Sequence, residues 1–177
     1  MTFLIIAIDH GWQLVPHGPE TPGSTADKTR LETSLTQTID NRGVNLICEE
    51  SDPCRLSIAQ KIAYEHNPRI PWKNINMSAE EWLEAGIWEA LLHRPSHDIE
   101  EPPGSGYYRT VDHRIPEDNA REQFFGKEAI QAANATGARS ILILYGDMHA
   151  DFLKQILEAS QHQVETNHDL IPRKYWQ

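Results

Sequence analysis

Imidazole and carboxylate side chains stand at three separated points of the chain, each just after a short apolar run. They are His10, the adjacent pair Glu49 and Glu50, and His149. Neighbouring imidazole and carboxylate groups can act as general acid and base. They also suit Zn, Mn or Fe, and a bound divalent metal lowers the pKa of its water. The residue types therefore predict hydrolysis, either by acid–base chemistry or with a divalent metal.

His149 is the most informative of these residues because of its position. Residues 141–145 form a continuous apolar run, typical of a strand buried on both faces, and Gly146 ends it. His149 lies three residues before Phe152 and four before Leu153, which places it on the inward stripe of the helix that follows. Open α/β sheets bind their ligands at this end of their strands.

The acidic pair and one arginine leave alternatives open. A strand sends neighbouring side chains to opposite faces, so only one of Glu49 and Glu50 is expected to enter a site. Arg121 lies four residues before Phe125 on a predicted helix, where it could clamp an anionic group of the substrate or neutralise the carboxylates. The structural alternative for Arg121 is a snorkelling side chain. For the other candidate residues, the structural alternative is that the side chain caps a helix or forms a hydrogen bond to a loop.

Strands and helices alternate along the chain and could position these side chains together. Apolar runs predict strands at residues 3–8, 44–48 and 141–145, with weaker candidates at 72–75 and 163–166. Periodic segments predict helices after Asp27, Ile58, Ser78, Pro116 and Gly146, with the Ser78 helix running to about Leu92. Residues 93–113 have no apolar period and predict a long loop.

This order predicts a three-layer α/β/α fold with a mainly parallel sheet of four to five strands, in a single domain over residues 1–177. Parallel strands end at one edge of a sheet, so the His and Glu side chains would gather there. The helix after Pro116 should face inward with Phe125, Ala129, Ala132 and Ala133.

The amino-acid composition excludes some classes of binding partner. Twenty-six acidic against 16 basic residues give a net charge of −10, which argues against nucleic acid or an anionic membrane. We expect a small-molecule or peptide substrate. Cys48 and Cys54 form no CxxC pair, and the amino terminus lacks the basic region of a signal peptide, so we expect a cytoplasmic protein. Dinucleotide, Walker and GxSxG motifs are absent from the sequence.

The ordered motifs resemble the erythromycin esterase-like, ChaN-like and TraB/TIKI-like superfamily. The matching segments are AIDHGWQ with His10, LICEES with Glu49, and GDMH with His149. An Arg-Glu-x-aromatic helix beginning at Arg121 is similar to one in small bacterial members. One motif differs, because the first strand ends in Asp-His-Gly, whereas the protease branch has Gly-x-x-His.

The resemblance implies a hydrolase, metal-dependent in some members and metal-free in others, while ChaN-like members bind haem iron. It implies His10, Glu49 and His149 as site residues and as possible ligands of a Zn, Mn or Fe ion, with Arg121 added by the closer relatives. We therefore predict a hydrolase in which Glu49 or Glu50 is base or ligand, His10 and His149 are acid or ligands, and Arg121 holds substrate charge.

Two alternatives stay open. The same cleft could bind a small molecule, haem or a peptide without chemistry, with tryptophans supplying contact area. The chain could also serve as an assembly subunit, for which a homodimer would be the simplest form.

Overall fold

The computed structural model describes residues 1–8, 25–51, 55–100, 103–104, 106 and 108–168, and within these the side chains of 25–27, 108–111 and 147–148 are left undescribed. The strands are β1 (Thr2–Ile8), β2 (Leu46–Glu49), β3 (Trp72–Asn74), β4 (Ser96–Glu100), β5 (Tyr108–Asp112), β6 (Ser140–Gly146) and β7 (Gln163–Asn167). The helices are α1 (Thr25–Arg42), α2 (Ile58–Glu65), α3 (Ala79–Glu84), α4 (Ile87–Leu92), α5 (Pro116–Thr136) and α6 (Asp147–Ala159).

The described residues fall into two compact units, residues 1–76 with 125–177, and residues 77–124. The single domain over 1–177 stays a prediction. The first unit holds a five-stranded sheet in the order β3-β2-β6-β1-β7, and every neighbouring pair is parallel. With helices on both faces it is the predicted three-layer α/β/α fold, which is confirmed.

One face of the sheet packs against α1 and α2, and we call it the α1 face. Its core joins Leu31, Leu35 and Ile39 of α1 with apolar side chains of α2 and with alternate strand residues. Those strand residues include Ile47 of β2 and Leu144 of β6. The spacing of four in α1 is the amphipathic pattern that predicted this helix, which ends before Gly43 in the left-handed region with φ 58°.

The opposite face, which we call the α6 face, carries the other strand residues. Tyr145 of β6 is fully buried there, and its ring meets that of Phe125 edge-on at 4.9 Å between centroids. Gly126 lets α5 approach α6 closely, because a Cβ at this position would lie 2.8 Å from Cγ2 of Ile156. The predicted inward stripe of α5 is buried at Phe125, Ala129 and Ala133, while Ala132 is half-buried.

The second unit differs from the prediction in two places. The single helix expected from Ser78 to about Leu92 is wrong: α3 ends at Glu84, and Gly86 in the left-handed region (φ 69°) separates it from α4. The capping box of Ser78 and Glu81 is present at the start of α3.

The long loop predicted at residues 93–113 is also wrong, because β4 and β5 form an antiparallel hairpin. Its strands are largely polar, so no apolar alternation marks them. Glycines provide the turn, with positive φ at Gly104 and Gly106, and the Glu100 carboxylate accepts a hydrogen bond of 2.6 Å from the Gly106 amide. Bonds from these two amides, Gly104 first, lower the pKa of Glu100.

Among the described helices, none combines the length and apolar character that crossing a bilayer would require.

Candidate functional site

The carboxyl ends of β2 and β6 bring candidate side chains together at one edge of the sheet. In the parallel ladder Glu49 stands beside Leu144, and the Glu50 amide donates to the Leu144 carbonyl at 3.1 Å. Leu144 belongs to the α1-face core, so Glu49 shares that face. Because side chains alternate, Glu50 and Tyr145 belong to the α6 face. The two adjacent carboxylates therefore enter different environments.

Glu49 is completely buried and engaged in the α1 face. Its Oε2 accepts hydrogen bonds from Ser57 Oγ at 2.5 Å and from Trp72 Nε1 at 2.9 Å. Ser57 Oγ also accepts from the Gln60 amide at 2.9 Å and so forms the N-cap of α2. The carboxylate thus connects β2 with the start of α2 and with β3, as expected of a structural group.

Glu50 is 3% exposed and approaches the turn between β6 and α6. The Gly146 amide donates to Glu50 Oε2 at 3.4 Å, which is a long bond. Gly146 is also the N-cap residue of α6 and provides no side chain for capping. The Glu50 carboxylate therefore lies at the amino-terminal end of α6.

His149 lies in the first turn of α6 and is 6% exposed, so the predicted inward placement is confirmed. Its ring is packed edge-on against that of Tyr145, with 6.0 Å between centroids. The Phe125 ring also packs edge-on against Tyr145. Phe152, expected on the same inward stripe, is 36% exposed, so the stripe of α6 is formed by Leu153 and Leu157 instead.

Tyr145 is a candidate that the sequence prediction missed. The apolar run predicts it only as the last core residue of a strand, but in the fold it shares a face with Glu50 and contacts the His149 ring, and its phenolic group can donate or accept a proton. Its position directly before the Gly that ends the strand was the available signal. Glu50, Tyr145 and His149 together form what we call the α6-face cluster.

A second group missed by sequence reasoning follows β2 and β3. The Asn74 side chain accepts from the Ser51 amide at 3.4 Å and donates to the Ser51 carbonyl at 3.0 Å. Asn76 donates to the same carbonyl at 3.5 Å. Ser51 is buried, and its Oγ has no hydrogen-bond partner within the residues that the structure describes. The sequence showed only isolated Asn and Ser residues here.

Arg121 lies in the second unit, within a network of buried charges. Its Nη1 lies 3.5 Å from Asp118 Oδ1, and the same carboxylate oxygen accepts from Arg94 Nη2 at 2.5 Å. The Arg121 guanidinium also sits over the Trp82 ring at 5.0 Å. Arg121 is therefore a buried and stacked arginine, which differs from the snorkelling alternative.

His10 lies outside the described residues, as do Asp9 and Cys54. Among the residues that are described, no three His, Cys, Asp or Glu side chains are grouped so as to hold a metal ion. A Zn, Mn or Fe site that includes His10 stays a prediction, and we derive no step through it.

Cys48 is a core residue. Its side chain is fully buried in β2, and burial raises the pKa of the thiol to about 12. Since the thiolate is the nucleophilic form, this cysteine is inert at neutral pH.

Comparisons with protein-family models, with curated proteins and with solved structures gave no match. The functional argument therefore rests on the residues of this chain.

Proposed function

We propose that the protein is a hydrolase that uses the α6-face cluster for acid–base catalysis on a small-molecule or peptide substrate. The observation that carries the proposal is the placement of Glu50, Tyr145 and His149 on one face of the sheet, at the carboxyl ends of two adjacent strands. All three side chains are able to move protons and are buried, and Glu50 comes from a segment far in sequence from Tyr145 and His149.

Glu50 and His149 have complementary roles in this proposal. One of them takes a proton from the attacking water, and the other donates a proton to the leaving group. The geometry leaves either assignment open. Tyr145 packs against the His149 ring and positions it, and its hydroxyl can stabilise charge that develops on the substrate.

Of the two neighbouring carboxylates, we assign Glu50 to chemistry and Glu49 to structure. Glu49 Oε2 already accepts from two side chains that hold α2 and β3 in place. A general base needs a lone pair directed at its substrate, whereas Glu49 Oε2 is directed at Ser57 and Trp72. We retain His10 as a further acid, while a role for Arg121 in holding substrate charge stays a prediction from the sequence.

The proposal is tested by screening the purified chain on ester, amide and phosphoester substrates, before and after dialysis against a chelator. The same screen is run with Glu50→Gln and His149→Gln, and Glu49→Gln is the matched control. We expect turnover by the wild type and by Glu49→Gln, and a loss of about 10²- to 10⁴-fold in the other two variants. No turnover on any substrate class, or equal loss in all three variants, would refute it.

The chelator arm separates the two kinds of hydrolysis. Activity that survives dialysis supports acid–base chemistry. Activity that is lost and then returns with Zn, Mn or Fe supports a metal site that includes residues beyond the described ones.

A binding module is the second candidate, and one observation favours it. All three residues of the α6-face cluster are almost completely buried, which suits a site that encloses a ligand. Thermal stabilisation by a small molecule, haem or peptide that is recovered unchanged would support this function. In that case Glu50→Gln would reduce affinity without any turnover being present. We keep a homodimer as a prediction, which light scattering can test.

A further inference from the structure

Two exposed histidines face each other across the β4–β5 hairpin. Nδ1 of His97 lies 2.8 Å from Nε2 of His113, and the ring centroids are 4.8 Å apart. His97 stands opposite Val111 in the ladder, so His113 is its diagonal neighbour on the same face of the hairpin. Both belong to the second unit, and neither takes part in the proposed hydrolase site.

We propose that His97 and His113 form a binding site for a divalent transition metal, with Cu²⁺ and Ni²⁺ preferred. Two nitrogens bound to one metal at about 2.0 Å lie about 2.8 Å apart when they subtend a right angle, and about 3.3 Å apart in a tetrahedron. The observed spacing matches the right angle of tetragonal coordination, which Cu²⁺ and Ni²⁺ favour. Water completes the coordination sphere at this exposed position.

The alternative is a simple hydrogen bond between two neutral rings. Such a bond between exposed side chains replaces bonds to water and restricts two rotatable side chains, so its net stabilisation is small. A metal provides a stronger reason for the two rings to meet, because each imidazole then donates a lone pair to one cation.

The place of the pair in the hairpin indicates what the metal would do. Within the part of the chain that the structure describes, the β4–β5 sheet has two strands, and an isolated two-stranded hairpin is marginally stable in water. At the turn of the hairpin, the Glu100 carboxylate accepts a hydrogen bond from the Gly106 amide and stabilises the turn. The histidines lie at the open end, where the last backbone bond runs from the His113 amide to the Pro95 carbonyl at 2.7 Å. A metal bound to both histidines would cross-link the two strands at this end, and we call this cross-link the clip.

The test is calorimetric titration of the untagged full chain with CuSO₄, NiCl₂ and ZnCl₂. Wild type is compared with His97→Gln and His113→Gln, and with His93→Gln, an exposed histidine of the same unit, as the matched control. We expect wild type and His93→Gln to bind one equivalent of Cu²⁺ more tightly than Zn²⁺. Each of the other variants should bind roughly tenfold more weakly or not at all, because one imidazole of the chelate is lost.

Equal Cu²⁺ binding by all four proteins, or none by the wild type, would overturn the site. Hydrogen exchange measured with and without Ni²⁺ tests separately whether the metal holds the two strands together. Ni²⁺ should slow the exchange of the β4 and β5 amides in the wild type and leave it unchanged in His97→Gln. Metal binding without this protection would overturn the clip. Neither measurement depends on hydrolase activity, so the two proposals can fail independently.

Discussion

Glu49 and Glu50 are chemically identical neighbours, both buried, yet the sheet sends them into different surroundings. On the α1 face, Glu49 receives hydrogen bonds from Ser57 and Trp72 and connects three elements. On the α6 face, Glu50 stands at the level of Tyr145, whose ring contacts His149. The difference teaches that burial alone does not separate a structural carboxylate from a candidate for catalysis. We base our proposal on the side chains that share each face: two side-chain donors for Glu49, and the proton-exchanging groups of Tyr145 and His149 for Glu50.

The largest expected effect is on turnover. If the α6 face performs the chemistry, Glu50→Gln and His149→Gln should each reduce kcat by about 10²- to 10⁴-fold, and the double variant should fall little further because the two groups act as a unit. Single-turnover rates on the best substrate of the screen measure this. Fully additive losses would show that the two residues do not act together.

The next largest effect is a difference in stability between variants of the two sheet faces. Glu49→Gln should lower the free energy of unfolding by about 1–3 kcal/mol, because charge-assisted hydrogen bonds to a buried group are lost. Glu50→Gln should change it by less than about 1 kcal/mol, since the bond from the Gly146 amide to this carboxylate is long at 3.4 Å. Urea unfolding of both variants provides the values. A larger loss for Glu50→Gln would reverse our assignment.

The two donors to Glu49 should differ in importance. Ser57→Ala removes both the bond to Glu49 and the N-cap of α2, and should cost about 1–3 kcal/mol. Trp72→Phe removes only the indole donor, and should cost about 1 kcal/mol. Urea unfolding again measures both. Turnover per folded molecule should stay within a factor of about two, since neither side chain belongs to the α6 face.

The smallest expected effect is the pH dependence of stability that comes from His66, a residue outside the α6-face cluster. Bonds to the Pro68 carbonyl and the Asp40 carboxylate raise the pKa of His66 above 6.5. The stability it provides is therefore full below pH 6.5 and is lost as pH rises through the higher pKa of the folded state. The free energy of unfolding of the wild type should exceed that of His66→Gln by up to about 1 kcal/mol at pH 6, and by less at pH 9. A pH-independent difference would contradict this.

Sequence reasoning succeeded where one segment carried the whole signal. The central strand, the inward placement of His149 and the buried stripe of α5 follow from apolar periodicity within a few turns or strand residues. It failed at the β4–β5 hairpin and at the break near Gly86. The hairpin strands are too polar to show a period, and the Gly86 signal was outweighed by the helical pattern on either side.

The candidate site was predicted only in part for a related reason. The sequence indicated that one of Glu49 and Glu50 would enter a site, but not which one. The choice depends on the register between β2 and β6, and the residues that meet there, Glu50 and Gly146, are 96 positions apart in the sequence. Tyr145 was missed because an aromatic residue at the end of an apolar run is indistinguishable from core until its neighbours are known.

By itself, the sequence determined the alternation of strands and helices in the first unit, its central strands and the edge at which Glu50 and His149 lie, because these depend on local periodicity and on the way parallel strands align. Tertiary structure alone decided which carboxylate shares a face with Tyr145, and which one is bound by Ser57 and Trp72. A shift of one residue in strand register exchanges the two faces, and no local pattern determines a relation between segments that meet only in the folded protein.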